Sequence, residues 1–218
     1  MDIKVNKNTV IVFDLDDTLY NELDFLKSAY QFIAKQLQPK YWEPLYASMF
    51  SLYRNKENVF EILSSKHNIE KQLLIEMYRN HVPNINLFEG ALEIIEATKV
   101  KEGKIGIITD GRSKTQMAKI KSLGIEDLIG KIVISEDLGT EKPNPNNFKA
   151  IETHFPNSTY WYIADNLKKD FVAPNALSWK SVCLLDNGKN IHYQSYKYMD
   201  KEYQPKAFIQ SYKEVNII

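Results

Sequence analysis

Two hydrophobic rhythms divide this chain. Val10-Ile11-Val12-Phe13 is an uninterrupted apolar run with β-branched residues. It reads as a strand buried on both faces of a parallel sheet. From Asp24 the rhythm changes: Phe25, Leu26, Ala29, Phe32, Ile33 and Leu37 recur at helical spacing, and Pro39 marks the end. The same periodicity predicts helices over 43–54, 57–65 and 70–80. No strand signal interrupts them, so residues 21–82 read as a small helical bundle inserted after the first strand, with Val82-Pro83-Asn84 as its exit.

Strand and helix then alternate. A helix over 91–99 leads to the strand Ile105-Gly106-Ile107-Ile108. A polar helix over 114–123 stops at Gly124 and is followed by the strand Ile132-Val133-Ile134. A helix over 147–154 precedes Tyr160-Trp161-Tyr162-Ile163-Ala164, and one over 169–177 precedes Val182-Cys183-Leu184-Leu185. Ala207-Phe208-Ile209 fits a short last strand and 211–215 a terminal helical turn; the polar, Tyr-rich stretch 186–204 carries no clear signal. This order predicts an α/β fold: a doubly wound parallel sheet from 1–20 and 83–218, with the helical bundle as a second, smaller domain.

Composition narrows the picture. The 218 residues are 44% hydrophobic and carry no net charge, enough for one good core and without the basic excess of a nucleic-acid-binding protein. The single cysteine, Cys183, lies in a strand and excludes a disulfide framework. The polar first residues lack the apolar segment of a signal peptide, and no run reaches membrane-spanning length. A cytoplasmic protein is expected; oligomeric state is not readable.

The candidate chemistry gathers at strand ends. Asp14-Leu15-Asp16-Asp17 sets three carboxylates within four residues, and ionising them together is costly unless a cation lies between them. Mg²⁺ is the natural neutraliser of hard carboxylate oxygens. Open α/β sheets place ligands at this same edge. The other strands deliver Thr109-Asp110-Gly111, a loop holding Lys142, and Asp165-Asn166. Carboxylates, a hydroxyl beside glycine, and a lysine are what phosphoryl transfer needs. Asp14 suits nucleophilic attack on phosphorus and Asp16 suits proton transfer to the leaving group. The Thr109 hydroxyl, the N–H groups of Asp110 and Gly111, and the Lys142 ammonium suit the phosphoryl oxygens. Mg²⁺ would take Asp14, the Asp16 backbone carbonyl and Asp165.

Four segments together resemble the haloacid dehalogenase (HAD) superfamily in its phosphatase branch. They are Asp14-Leu15-Asp16-Asp17-Thr18-Leu19-Tyr20, Ile107-Ile108-Thr109-Asp110-Gly111, Gly139-Thr140-Glu141-Lys142-Pro143-Asn144-Pro145, and Ile163-Ala164-Asp165-Asn166 with Asp170. The last motif usually has Gly where Ala164 stands. The resemblance spans nearly the whole chain and implies a Rossmann-like core with a helical cap of the first type. It implies Asp14 as nucleophile, Asp16 as acid/base, and Asp170, beside Asn166, as a support for a metal-bound water or for Lys142. An aspartate at position 16 favours phosphate-ester hydrolysis over dehalogenation. The expected substrate is a small phosphate monoester, a sugar phosphate or nucleotide. A sugar-phosphate mutase shares all four motifs. A receiver-like signalling domain shares the Asp, Thr and Lys but not the insertion. Asp170 is equally readable as a first-turn helix residue, and Asp17 and Thr18 as turn residues.

Overall fold

The computed structural model describes all 218 residues. Its strands and helices run, in order, β1 (Asp2–Ile3), β2 (Thr9–Phe13), α1 (Glu22–Leu37), α2 (Trp42–Arg54), α3 (Val59–His67), α4 (Lys71–Asn80), α5 (Ala91–Val100), β3 (Lys104–Thr109), α6 (Ser113–Ser122), β4 (Lys131–Ile134), α7 (Ser135–Leu138), α8 (Pro145–His154), β5 (Thr159–Ala164), α9 (Val172–Ala176), β6 (Lys180–Leu184), β7 (Ala207–Ile209) and β8 (Asn216–Ile217).

Six strands form one sheet in the order β4-β3-β2-β5-β6-β7, every pair parallel. The chain moves outward from β2 in one direction, then returns to build the other half: the doubly wound arrangement. Its reversal point lies between β2 and β5, so the C-terminal ends of these two strands border the crevice where such sheets bind ligands. All five residues of β2 are buried, as a central strand covered on both faces requires. On one side Val10, Val12, Ile108, Val133, Tyr162 and Cys183 pack with Phe148, Ile151, Phe171 and Trp179. Each such side chain contributes about 1.5–3 kcal/mol by leaving water.

The chain divides into two compact units, residues 1–22 with 86–218, and residues 23–85. The second is helical and has its own core, in which Leu26, Tyr30, Ile33, Leu45, Met49, Val59, Leu63 and Leu74 are buried. His81 is buried within it, its ring nitrogens 2.8 Å from the Tyr78 carbonyl and 3.1 Å from Ser28 Oγ. Ile62 and Leu73, which fit the helical rhythm by sequence, are instead largely exposed.

Several boundaries differ from the sequence expectation for physical reasons. The helix expected from 147 starts at Pro145, because the Asn144 side chain accepts the Asn146 N–H and proline supplies a pre-set first turn. The helix expected over 169–177 shrinks to α9. The preceding residues form a turn in which the Asp170 carboxylate accepts the Asn166 N–H and the Asn166 carbonyl accepts the Lys169 and Asp170 N–H groups. At the C-terminus the expected helical turn is a single 3₁₀ turn at Tyr212–Glu214, closed by a Ser211–Glu214 capping box. It is followed by β8, which pairs in parallel with β1. That two-residue sheet was not predicted, since neither half shows a pattern alone. The Tyr-rich stretch is irregular apart from short 3₁₀ turns at Ser195–Lys197 and Lys201–Tyr203. No helix is long and apolar enough to cross a membrane.

Candidate active site

Asp14 directly follows β2, its N–H donated to the Ile163 carbonyl at 3.0 Å, so β5 fixes the backbone at the carboxylate. Asp165 follows β5, Thr109 ends β3, and Lys142 lies in the loop between α7 and α8. Three of these remote positions, Asp14, Asp165 and Lys142, meet in one buried cluster with Asp170, while the buried Thr109 is held by Gln116 of α6. Lys142 Nζ lies 2.7 Å from Asp14 Oδ1 and 2.7 Å from Asp170 Oδ1. It also donates to the Tyr162 hydroxyl at 3.2 Å, which donates to Asp170 at 3.2 Å. Carboxylate oxygens of Asp14, Asp165 and Asp170 all lie within 4.8 Å of one another. Asp170 is wholly buried and paired with Lys142 in this cluster, and it precedes the first turn of α9.

This cluster has one ammonium against three carboxylates, and the imbalance is visible in their acidities. Burial pushes Asp14 up to about 7, opposed by Lys142 and reinforced by Asp170. Burial, then Asp170 and Asp14, push Asp165 well above the usual carboxylate range. Lys142 is raised as well, for a different reason: burial lowers it, but Asp14 and Asp170 outweigh burial. Asp165 is held from two sides, by Thr18 Oγ at 3.2 Å and by Asn190 Nδ2 at 3.0 Å. Asn190 comes from the stretch that showed no sequence signal. That stretch is tied down again where the Ile191 N–H donates to Asp17 Oδ2 at 2.8 Å. Asp17, at φ 55°, also accepts the Glu22 N–H at 2.8 Å and so secures the turn into α1.

Asp16 points elsewhere. Its carboxylate is outside the three-carboxylate cluster and faces α6, where Lys119 Nζ is 2.7 Å from Oδ1 and Gln116 Nε2 donates to Oδ2 at 2.9 Å. The Tyr20 hydroxyl also donates to Oδ1. Burial alone would raise Asp16; the Lys119 charge and these hydrogen bonds more than offset it and hold the group below its ordinary value. Gln116 Nε2 also donates to Thr109 Oγ.

The neighbouring loop carries further contacts. Asp110 accepts the Lys142 N–H at 3.1 Å and the Lys169 ammonium at 2.8 Å. The Gly111 N–H, expected from sequence to face phosphate, instead donates to Ser135 Oγ at 2.9 Å. Ser135 is available there because α7 begins directly at the end of β4. The Asn166 side chain accepts the Lys168 N–H at 3.1 Å and shapes the turn that presents Asp170.

Sequence reasoning missed Gln116, Lys119, Lys169, Ser135 and Asn190. A signal existed for two of them. Ile120 in α6 and Leu123 at its C-terminal cap are buried, and counting back in threes and fours puts Gln116 and Lys119 on the same face.

Can these residues hold a divalent cation? Three buried carboxylate oxygens within reach of one another, with a single ammonium between two of them, form an all-oxygen donor set with surplus negative charge. That fits a hard cation such as Mg²⁺.

Fold and site together place the chain among doubly wound α/β proteins that gather carboxylates at the C-terminal ends of central parallel strands. The sequence profile of the haloacid dehalogenase-like hydrolases matches residues 11–183, and the chain belongs to that family. It is accordingly a hydrolase of the HAD kind, and the receiver-domain reading falls away. Among curated relatives it is similar to the pyrimidine 5'-nucleotidase YjjG of Escherichia coli, 29% identical over 154 residues, covering 63% of this chain and 67% of that protein. It is also similar to the glyceraldehyde 3-phosphate phosphatase of Methanopyrus kandleri, 28% identical over 185 residues, covering 76% and 78%. Among solved structures, the fold resembles a HAD hydrolase, YfnB, from Bacillus subtilis, described as bound to magnesium, with TM-score 0.61 at 20% identity over 95% of this chain and 96% of that one. It also resembles a β-phosphoglucomutase-type protein from Thermotoga maritima, with TM-score 0.67 at 15% identity over 94% and 95%.

Proposed function

We propose that this chain is a Mg²⁺-dependent phosphatase that hydrolyses a small phosphate monoester through an aspartyl-phosphate on Asp14. The observation that carries the reading is the division of labour between two nearby aspartates: Asp14 shares Lys142 with Asp170, whereas Asp16 rests separately on Lys119 and Gln116. Asp14 thus lies in the charged cluster where a cation and a phosphoryl group would meet, and Asp16, two residues on, lies outside it.

In this reading an Asp14 oxygen attacks phosphorus and the bond to the ester oxygen breaks. Asp16, once it has taken up a proton as the substrate binds, gives it to that departing oxygen. Asp16 then takes a proton from water, whose oxygen attacks the phosphorus of the aspartyl-phosphate and frees Asp14 and inorganic phosphate. The Lys142 ammonium and the Thr109 hydroxyl hold the phosphoryl oxygens as charge develops on them. Asp14, Asp165 and the Asp16 carbonyl would hold Mg²⁺, with Asp170 at its edge. When bound, the ion supplies positive charge that relieves the carboxylate cluster and draws electron density from the phosphoryl group.

The helical unit is proposed to act as a cap that selects the substrate, since it is inserted directly after the first motif. The names of the relatives, a nucleotidase and a sugar-phosphate phosphatase among them, support nucleotides or small sugar phosphates as substrates. The test is phosphate release from p-nitrophenyl phosphate and a panel of metabolites, with and without Mg²⁺. Asp14→Asn is expected to lose at least about a thousandfold in turnover, as removal of a nucleophile does. Turnover unchanged in that variant would sink the proposal.

A further inference from the structure

Gln116 links two groups that the proposed chemistry uses separately. It is buried, and its Nε2 lies against both Asp16 Oδ2, at 2.9 Å, and Thr109 Oγ. The Gln116 atom facing Asp16 is Nε2, an amide NH₂ that can only donate. The same NH₂ then donates to Thr109. The Thr109 oxygen is thereby made an acceptor, and its own proton is turned away from Gln116, free to donate to an anion.

Two other features serve this arrangement. Lys119, one turn further along α6, takes the other oxygen of Asp16 at 2.7 Å, so the carboxylate is held at both ends. Gly111, at φ +133°, leaves room for the Gln116 side chain: a Cβ there would lie 3.2 Å from Gln116 Cδ. The glycine of the second motif thus makes space for a glutamine as well as allowing a turn.

We propose that Gln116, with Lys119, is a positioning residue: it aims the Thr109 hydroxyl at the phosphoryl group and fixes Asp16 where it meets the leaving oxygen. The inference rests on the phosphatase reading of the site. It assigns α6 a part in the reaction that none of the four motifs contains.

Leaving-group chemistry separates this role from simple structural support. An alkyl phosphate needs a proton delivered to its oxygen as the bond breaks, whereas p-nitrophenolate leaves without one. The experiment measures kcat/KM for p-nitrophenyl phosphate and for glycerol phosphate, together with inhibition by inorganic phosphate. It compares wild type, Gln116→Leu, the same-sized Gln116→Glu and Lys119→Met, each checked for a cooperative thermal transition. Both Gln116 variants are expected to lose about a hundredfold on glycerol phosphate, the scale of a misplaced general acid. They should lose about tenfold on p-nitrophenyl phosphate and bind inorganic phosphate about tenfold more weakly, the scale of one hydrogen bond to a charged group. Lys119→Met should show the leaving-group effect with phosphate inhibition retained. Equal losses on both esters in the Gln116 variants, or phosphate inhibition unaltered in them, would overturn the assignment. Asp14→Asn is run alongside. If it retains turnover, the phosphatase reading fails; if it is inactive while the Gln116 variants lose both esters equally, only the positioning role fails.

Discussion

The two halves of the first motif are neutralised in opposite ways. Asp16 meets one ammonium, Lys119, and two further donors, and its pKa falls below the ordinary value. Asp14 shares the single ammonium of Lys142 with Asp170 while Asp165 stands within 4.8 Å, and both Asp14 and Asp165 are pushed upward. One side is balanced by the protein itself. The other keeps more carboxylates than ammonium groups, even with the Lys169 charge acting on Asp14, and protons or an added cation would relieve it. The difference marks which side should bind metal, and it makes stability and metal affinity readable as functions of charge.

Removing each lysine is the sharpest way to break the comparison. Lys142→Met leaves the three-carboxylate cluster without its cation, and breaking such a buried pair costs about 3–5 kcal/mol. Chemical denaturation should show that loss in metal-free protein, and added Mg²⁺ should restore a large part of it. Lys119→Met, which leaves one partly exposed carboxylate, should cost about 1–3 kcal/mol, and Mg²⁺ should not restore it. Equal rescue of both variants would erase the distinction.

Metal itself comes next. Mg²⁺ at a hundred times its dissociation constant should stabilise the wild type by about 2.7 kcal/mol, and chelator should return it to the metal-free value. No thermal shift with Mg²⁺ would contradict the charge argument.

The pH dependence carries a definite sign. Asp14 titrates at about 7 in the fold against an ordinary 3.8, so the fold prefers its protonated form. Its contribution is therefore favourable below pH 3.8, and is lost as pH rises toward 7. Asp17, raised to about 6 mainly by burial, adds in the same direction. Asp16 is lowered, so its contribution is present above the ordinary value and fades only in stronger acid. Cation binding must displace protons from the raised group, so Mg²⁺ affinity measured by calorimetry should weaken as pH falls below about 7. Affinity flat from pH 5 to 8 would count against it.

The smallest effect expected is at Gly111. Alanine there meets Gln116 at 3.2 Å in a backbone conformation that side chains disfavour, a strain of about 1–3 kcal/mol. A denaturation midpoint identical to wild type would show that Gln116 moves aside freely.

How much of this was legible in the sequence depends on the range of the contact. The buried strands announced themselves as apolar runs, and the segments following them carried the Asp14, Asp165 and Lys142 that meet in the cluster. The helical unit was legible from periodicity, although Leu73, which fits the same rhythm, is 42% exposed. Lys119 was overlooked because the helix over 114–123 is polar in sequence, whereas its buried side includes Gln116 and Lys119. Asn190 was out of reach for another reason. It sits in an irregular stretch held by single hydrogen bonds to Asp165 and Asp17, contacts that leave no periodic trace. The pairing of Asp2–Ile3 with Asn216–Ile217 joins opposite ends of the chain and likewise has no local signature.

The most direct test of the central claim is to locate the phosphoryl group during turnover. Enzyme mixed with substrate and Mg²⁺ is quenched in acid within milliseconds, reduced with borohydride and mapped by mass spectrometry. The expected result is homoserine at position 14, from reduction of an aspartyl-phosphate, in wild type only and only when metal is present. Hydrolysis proceeding with residue 14 unmodified, or with the modification on another side chain, would contradict the account.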